Sequence, residues 1–368
     1  MRTHNPEALS IVEGGSFGFT VVCDVLRGRN RALKDVSPVD WSLSGDFDAK
    51  VKTKGQVTFA YQDEFGESFM PRSAGDTFAP FGSVVKMYGL LSLGAYEERI
   101  QLGTYRIKDA PEASEETVTV NGRALSTAVV KVNLSDLFYA ADVPFMRLEN
   151  PAALTSAWAE IARVSKLPVT RTVDDVAIPA SVVYSRNRLS TVQQLAGVLG
   201  GRAYMRSDAT IGVVPDDVGD PVLDLRVGEL TGKIIDVGHS MTADDTFNAV
   251  YGDFEDANGR PIYAAARITD GPLSVDGPFG ERPVEYPGDQ KQFIKTQTAA
   301  DTAVANHLAK VSKGSPLEIP VTMTPHPLVE FDTVRVHRPG GGSFVGRVVK
   351  WSLARGRATE VTVRVPNA

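Results

Sequence analysis

The sequence predicts a mainly β protein with an α+β insert, in which two β-barrel-like modules flank a small α+β domain. Three observations carry this. Apolar and polar residues alternate from Phe17 to about Val132 and again from Lys233 onward, the period of half-buried strands. Between those stretches apolar residues recur at three-to-four spacing, the period of a helix face. Glycine (33) and proline (22) punctuate the 368 residues often enough for many short strands joined by turns. The expected modules are 1–134 (β), 135–232 (α+β, two helices and a hairpin) and 233–368 (β, with a loop-plus-helix insertion at about 267–316).

The elements follow in order. "FTVVCDVLRG" alternates as a strand must, and "SPVDWSLSGDFDAKVKTKGQVTFAYQDEFGESFMP" gives two or three more strands with "DEFGE" as a turn. "SVVKMYGLL", "RIQLGTYRIKDAP" and "ETVTVNGRALS" continue the pattern. Asn121-Gly122 reads as a hairpin turn, because both residues tolerate positive φ. "NPAALTSAWAEIARVSKLP" then places Leu154, Trp158, Ile161, Val164 and Leu167 on one helical face, with Pro151 in the first turn and Pro168 as the stop. "LSTVQQLAGVLGG" is a second helix, with a capping box from Ser190 to Gln193 and Gly200-Gly201 at its end. "RAYMRSDATIGVVPDD" reads as a hairpin.

From Lys233 the period returns to two. "KIIDVGHS" and "NAVYGDFEDANGRPIYAAARI" are strands, the latter turning at Asn258-Gly259. "DGPLSVDGPFGERPVEYPGDQ" is an exposed loop by its glycines and prolines. "TQTAADTAVANHLAKVSKG" is a third helix, with Ala303, Val304, Leu308 and Val311 apolar and Gly314 at its end. The stretch His326–Pro366 closes the chain with four strands, a triple-glycine turn at Gly340–Gly342 and a basic turn. In it Val334, Val336, Val345, Val348, Trp351 and Leu353 are spaced to face inward, given a bulge between Val345 and Val348. The order of a β-module, an insert and a β-module has the form of a duplication, although no residue-level repeat is visible.

Composition narrows the function classes. Hydrophobic residues at 42% and charged residues at 23% describe a globular chain. A net charge of −6 gives little counterion-release affinity for nucleic acid. The one cysteine, Cys23, permits neither an intrachain disulfide nor a multi-cysteine zinc site, and its strand setting reads as a buried structural thiol. The opening "MRTHNPEALSIVEGG" lacks the apolar core of a signal peptide, and no run has the length of a membrane span; synthesis and folding in a cytoplasm are expected.

The search for chemistry returns no catalytic, cofactor-binding or metal residue. The histidines at 4, 239, 307, 326 and 337 have no metal-ligand spacing. Asp253, Glu255 and Asp256 miss the calcium-loop positions, so "GDFEDANGR" reads as a hairpin tip. "PDDVGD" and "TVDDVA" read as solvated turns. "RPGGGSFVGRV" lacks the G-K-[ST] ending of a phosphate loop, and a strand follows it where a helix would be needed. There is no G-x-S-x-G elbow. An enzyme is not expected.

Three stretches in this order resemble the central tail-hub proteins of long-tailed bacteriophages, the minor tail or baseplate hub proteins. They are "IQLGTYRIKDAPEASEETVTVNGRALS", "LSTVQQLAGVLGGRAYMRSDATIGVVP" and "TPHPLVEFDTVRVHRPGGGSFVGRVVKWSLARGRATEVTVRV". The last departs from the family's Gly-Asp before its closing strands, with Phe331-Asp332 instead. The resemblance implies a tail-hub fold and a structural tail-tip protein. It implies a homotrimer with six similar β-module positions that bridges the sixfold tube to a threefold tip. The implied partners are the distal tail protein or tail tube, the tape-measure protein and tip or receptor-binding proteins. DNA passes through without specific binding, and no membrane insertion is implied. Because the sequence ends directly after the β-module, the expectation is a bare hub, placed at the virion tail tip and assembled in the bacterial host cytoplasm. A distal-tail or carbohydrate-binding adaptor and a tail-associated hydrolase are the alternatives.

Overall fold

The computed structural model describes residues 2–14, 17–28, 30–61, 70–120, 123–147, 150–152, 154–178, 183–226, 234–238, 243, 246–256, 258–287, 291, 294–312, 317–338 and 341–365. The expected turns at "DEFGE" and Asn121-Gly122, the helix stop at Gly314, and His239 and Gly340 lie outside these residues. The chain divides into two compact units, Met1–Gly238 with Pro320–Val363 and His239–Ile319 with Arg364–Ala368.

The elements are α1 (Pro6–Gly14), β1 (Gly18–Arg27), β2 (Asn30–Val36), β3 (Asp40–Asp46), β4 (Thr53–Tyr61), β5 (Ser83–Leu93), β6 (Tyr96–Val120) and β7 (Arg123–Asp136). There follow α2 (Phe138–Ala141), α3 (Ala157–Ser165), α4 (Arg188–Val198), β8 (Gly201–Met205), β9 (Ile211–Pro215), β10 (Leu223–Leu225) and β11 (Ile234–Val237). Next come β12 (Ala249–Glu255), β13 (Pro261–Arg267), β14 (Pro283–Glu285) and α5 (Gln297–Val311). The chain closes with β15 (Leu317–Met323), β16 (Thr333–His337), β17 (Ser343–Ala354) and β18 (Thr359–Val365).

The protein is mainly β. Thirteen strands pair into one sheet of order β11-β15-β18-β17-β3-β4-β7-β6-β5-β1-β2, with β16 and β10 joined to β17 off that path. The opening and closing β-segments therefore share a single hydrogen-bonded sheet, joined where β3 meets β17 antiparallel from Asp46↔Lys350 to Ser42↔Ala354. β3 shows why the pattern works: in "DWSLSGD" every second residue (Trp41, Leu43, Gly45) is buried.

Several elements differ from the sequence reading. α1 was not expected; it buries Ala8, Ile11 and Val12. β2 was also missed, since "NRALKDV" is an edge strand with only Leu33 and Val36 buried. "RIQLGTYRIKDAP" and "ETVTV" form one 25-residue strand, β6, that runs through Pro111. Register shifts between Ile107 and Asp109 and between Asp109 and Glu112 accommodate the missing N–H there. In β17, Val345 is only half-buried, whereas Gly346, Arg347, Val348 and Val349 are all buried. The β16–β17 pairing runs without a register shift from Ser343 to Arg347, and Gly346 to Val349 are buried on both faces.

The segment between β7 and β10 builds its own core from Phe138, Trp158, Ile161, Leu189, Val192 and Leu195, among others. α3 begins at Ala157, not near Pro151. Its N-cap is Ser156, whose hydroxyl accepts from Ala159 N and donates to Asp175 at 2.6 Å. Lys166 closes it in the left-handed conformation (φ 60°). α4 is capped by Asn187, not by the Ser190–Gln193 box. Gln193 instead binds β8, accepting from Ala203 N and donating to Ala203 O, each at 3.1 Å.

In the second unit β13-β12-β14 form a sheet whose inner face packs Val250, Phe254, Ile262 and Ala264 against Ala300, Val304 and Leu308 of α5. The β12–β13 hairpin belongs to this unit together with the loop and helix expected as an insertion at 267–316. The glycine- and proline-rich stretch is not only a loop, because it carries β14 and is tied to buried Asn248. That side chain donates to Leu273 O and Gly280 O and accepts from Arg282 N at 2.7 Å.

Candidate functional site

The place where distant parts of the first unit converge is the β3–β17 join. Trp351 pairs with Gly45, and a Cβ at Gly45 would lie 2.2 Å from Trp351 Nε1. Glycine is thus what lets the indole lie flat across the neighbouring strand. Arg2 covers the same ring, its guanidinium carbon 4.7 Å from the centroid. Arg2 is itself buried. It donates to the carbonyls of Leu102, Pro327 and Val329, its backbone N–H donates to Leu328 O, and Nε lies 3.6 Å from the Glu330 carboxylate. One side chain near the N-terminus therefore ties β6, the β15–β16 connection and β17 together.

A second knot lies at Phe47, which is buried after β3 and donates its N–H to Val349 O at 2.7 Å. Three cations surround its ring: Lys52 Nζ at 5.2 Å, the Arg202 guanidinium at 5.3 Å and that of Arg347 at 5.7 Å from the centroid. Arg202 comes from β8 and reaches Asp48 at 2.6 Å. Arg347 comes from β17 and donates to Asp217 O at 2.6 Å. Opening sheet, α+β segment and closing sheet thus meet around one aromatic ring, by cation–π contacts that desolvation strengthens.

Several titratable groups with displaced pKa values are buried. Burial pushes the Asp136 carboxyl up to about 6, against the opposing pull of the Thr53 and Phe138 N–H groups it accepts. Burial likewise raises Glu330, with Arg2 opposing, and raises the Tyr105 phenol and the Cys23 thiol. It lowers Lys52, helped by the positive charge of Arg202. The cavity beside them, lined by Thr53, Tyr105, Glu330 and Trp351 among others, has about 10 Å³, room for no more than a water. Asp136, Glu330 and Arg2 hold segments together, while Lys52 also borders an open groove.

The histidines are dispersed. His4 Nδ1 is 2.7 Å from Arg2 O, His307 packs edge-on to Tyr286, His326 is buried, and His337 faces Asp224 at 3.4 Å. Among the described residues no three His, Cys, Asp or Glu side chains gather as metal ligands. Asp256 organises its own hairpin, accepting from Asn258 N and Arg260 N, with Gly259 at φ 76°. Of "TVDDVA", Asp175 caps α3; of "PDDVGD", Asp216 and Asp217 offer carbonyls to Arg347. Gly341 and Gly342 take positive φ at the β16–β17 turn. Sequence reasoning missed Arg2 and Phe47 as organisers; their only signal is a lone charge and a lone aromatic in polar surroundings.

Two open grooves mark the first unit. One, of about 620 Å³, crosses β15, β18, β17 and β3 beside Lys54, Lys350, Asp46 and Glu360. The other, of about 460 Å³, is aromatic and lies at one end of β1, β3 and β17.

No protein-family model and no curated protein matches the chain. Solved structures do. The chain is similar to the tail protein from Neisseria meningitidis MC58, at 13% identity and TM-score 0.54, over 95% of this chain and 96% of that one. It is also similar to the 43 kDa tail protein of prophage MuSo2 from Shewanella oneidensis, at 11% identity and TM-score 0.57, over 95% and 99%. At these identities the likeness is one of fold, and it runs through nearly the whole of each chain.

Proposed function

We propose that this chain is a structural tail-tip hub of a bacteriophage, a ring-forming protein that joins the tail tube to the tip and lets DNA pass. The observation that carries the reading is the end-to-end fold likeness to two tail proteins, one of them from a prophage. The interior is in keeping with it, since buried Arg2, Asp136 and Glu330 bind strands to one another. Three copies, each with an opening and a closing β-module, supply six similar positions to a sixfold tube. A net charge of −6 suits a conduit that does not retain passing DNA. Distal-tail or tube, tape-measure and receptor-binding proteins are the neighbours in this reading, at the virion tail tip after assembly in the host cytoplasm.

The test is a map of the tail tip by electron microscopy. Three axial copies are expected; six equivalent copies, or a position off the axis, would move the assignment to a distal-tail or adaptor protein. One observation favours a carbohydrate-binding adaptor as the second reading: Tyr251 and Tyr263 stand exposed on the outer face of the β12–β13 hairpin. Glycan binding that both Tyr→Ala changes abolish would support it. Zymography of the purified chain against host cell walls is expected to show no clearing, and clearing lost on changing a single acid would establish a hydrolase.

A further inference from the structure

The aromatic groove of the first unit and the glycine- and proline-rich loop of the second have complementary chemistry. The groove presents Phe17, Phe19, Trp41 and Pro38, with Arg355 and Arg357 exposed at the β17–β18 turn, and no acidic side chain lines it among the described residues. Phe19 and Trp41 meet edge to face in its floor, 6.2 Å between centroids. The loop exposes Asp270, Pro272, Asp276, Pro278 and Glu281.

We propose that the groove receives the 270–281 loop of a second copy of this chain, forming the contact that closes the ring; this rests on the hub reading. Three arguments converge. The exposed rings of Pro272 and Pro278 offer apolar surface to an aromatic floor. The aspartates face two arginines that have no acid in the groove. The loop is already shaped: Gly271 and Gly280 hold φ of 81° and 72°, the Asn248 amide fixes Leu273 O and Gly280 O, and Ser274 Oγ donates to Thr269 O. Docking a preformed loop forfeits little conformational entropy. A closed ring also requires two unlike patches on each subunit, and groove and loop are such a pair.

The experiment uses the full chain in assembled tails. Thr20→Cys in the groove and Asp276→Cys on the loop are combined; the natural Cys23 is fully buried and stays unreactive. Oxidation is expected to give covalent dimers and trimers on a denaturing gel, and a cross-link at monomer mass overturns the proposal. Separately, Arg355→Glu with Arg357→Glu should cut incorporation into tails roughly tenfold, through like-charge contact with the loop. Asp270→Arg with Asp276→Arg should do the same, and combining both pairs should restore incorporation. Loss without restoration overturns the pairing. Three axial copies without cross-links, and with unaffected charge variants, overturn the contact and leave the hub standing. Absence of the chain from the tail axis overturns both.

Discussion

The guanidinium of Arg2 stacks on the indole of Trp351, 4.7 Å from the ring centroid, with both side chains buried. The same guanidinium lies beside Glu330, whose carboxyl burial pushes up while Arg2, and more weakly Arg206, oppose it. Arg2→Ala would leave that carboxylate buried without its partner, which costs about 3–5 kcal/mol in such pairs. The sign of the pH effect follows. An acid with a raised folded pKa is penalised above that pKa, and losing Arg2 raises it further. The melting deficit of Arg2→Ala should therefore be larger at pH 8 than at pH 5, and an Arg2→Ala, Glu330→Gln double variant should show no such slope. A deficit independent of pH in the single variant would show that Glu330 is not what Arg2 supports.

Trp351 and Gly45 form a fitted pair across the β3–β17 join. Trp351→Ala should cost about 3–5 kcal/mol, the range for buried large aromatics. Gly45→Ala forces a methyl group into the indole and should cost about 1–3 kcal/mol by overpacking. Combined, the two changes should fall short of their sum, because removing the ring removes the clash. Denaturant melts of the four chains measure the coupling. Strict additivity would mean that the indole moves aside at no cost.

How much of this was legible before the structure depends on the range of the cause. β3 was legible because one face is buried and the other is not, so its alternation is written in seven residues. β17 was misread at Val345, expected inward but half-buried, because four consecutive buried residues, Gly346 to Val349, leave no alternation to read. α3 was placed too early because Pro151 and Leu154 imitate a first turn. Its start is set instead by Ser156 with Asp175, a contact between residues 19 apart. The candidate site was not legible. Arg2 meets Val329 and Trp351, and Phe47 meets Arg202 and Arg347, through separations that no local pattern encodes.

Asp136 gives a second test of pH. Its carboxyl accepts from Thr53 N at 2.8 Å and Phe138 N at 2.9 Å, yet burial holds its pKa near 6. A carboxyl free in the unfolded chain titrates near 4. Between these values the folded state binds the extra proton, so this group adds stability as pH falls from about 6 to about 4 and subtracts it above. Lowered acids such as Asp142 and Asp208 pull the other way at the acid end. The wild-type-minus-Asp136→Asn difference isolates the effect. The wild type should gain relative to Asp136→Asn as pH drops from 7 to 4. A flat difference would mean that Asp136 titrates as an ordinary carboxyl.

The last test separates two accounts of α4. In a capping box, Ser190 and Gln193 would share the work at the helix start, and alanine at either should fray the first turn. The structure gives the cap to Asn187, whose Oδ1 accepts from Ser190 N at 3.0 Å while its Nδ2 donates to Asp142 at 2.7 Å. Gln193 points to β8 and satisfies both backbone groups of Ala203, a fully buried residue. Asn187→Ala should therefore cost about 1 kcal/mol, the usual worth of an N-cap. Ser190→Ala should cost less, because its hydroxyl only shares Asn187 Oδ1, at 3.3 Å. Gln193→Ala should be the largest of the three, about 1–3 kcal/mol, because it takes the partner from both backbone groups of buried Ala203. Hydrogen exchange assigns the cause: Gln193→Ala should lose protection at Ala203, on the strand, and Asn187→Ala at Ser190, on the helix. If Gln193→Ala instead exposes the first turn of α4 and leaves Ala203 protected, the capping box is the correct account of this helix.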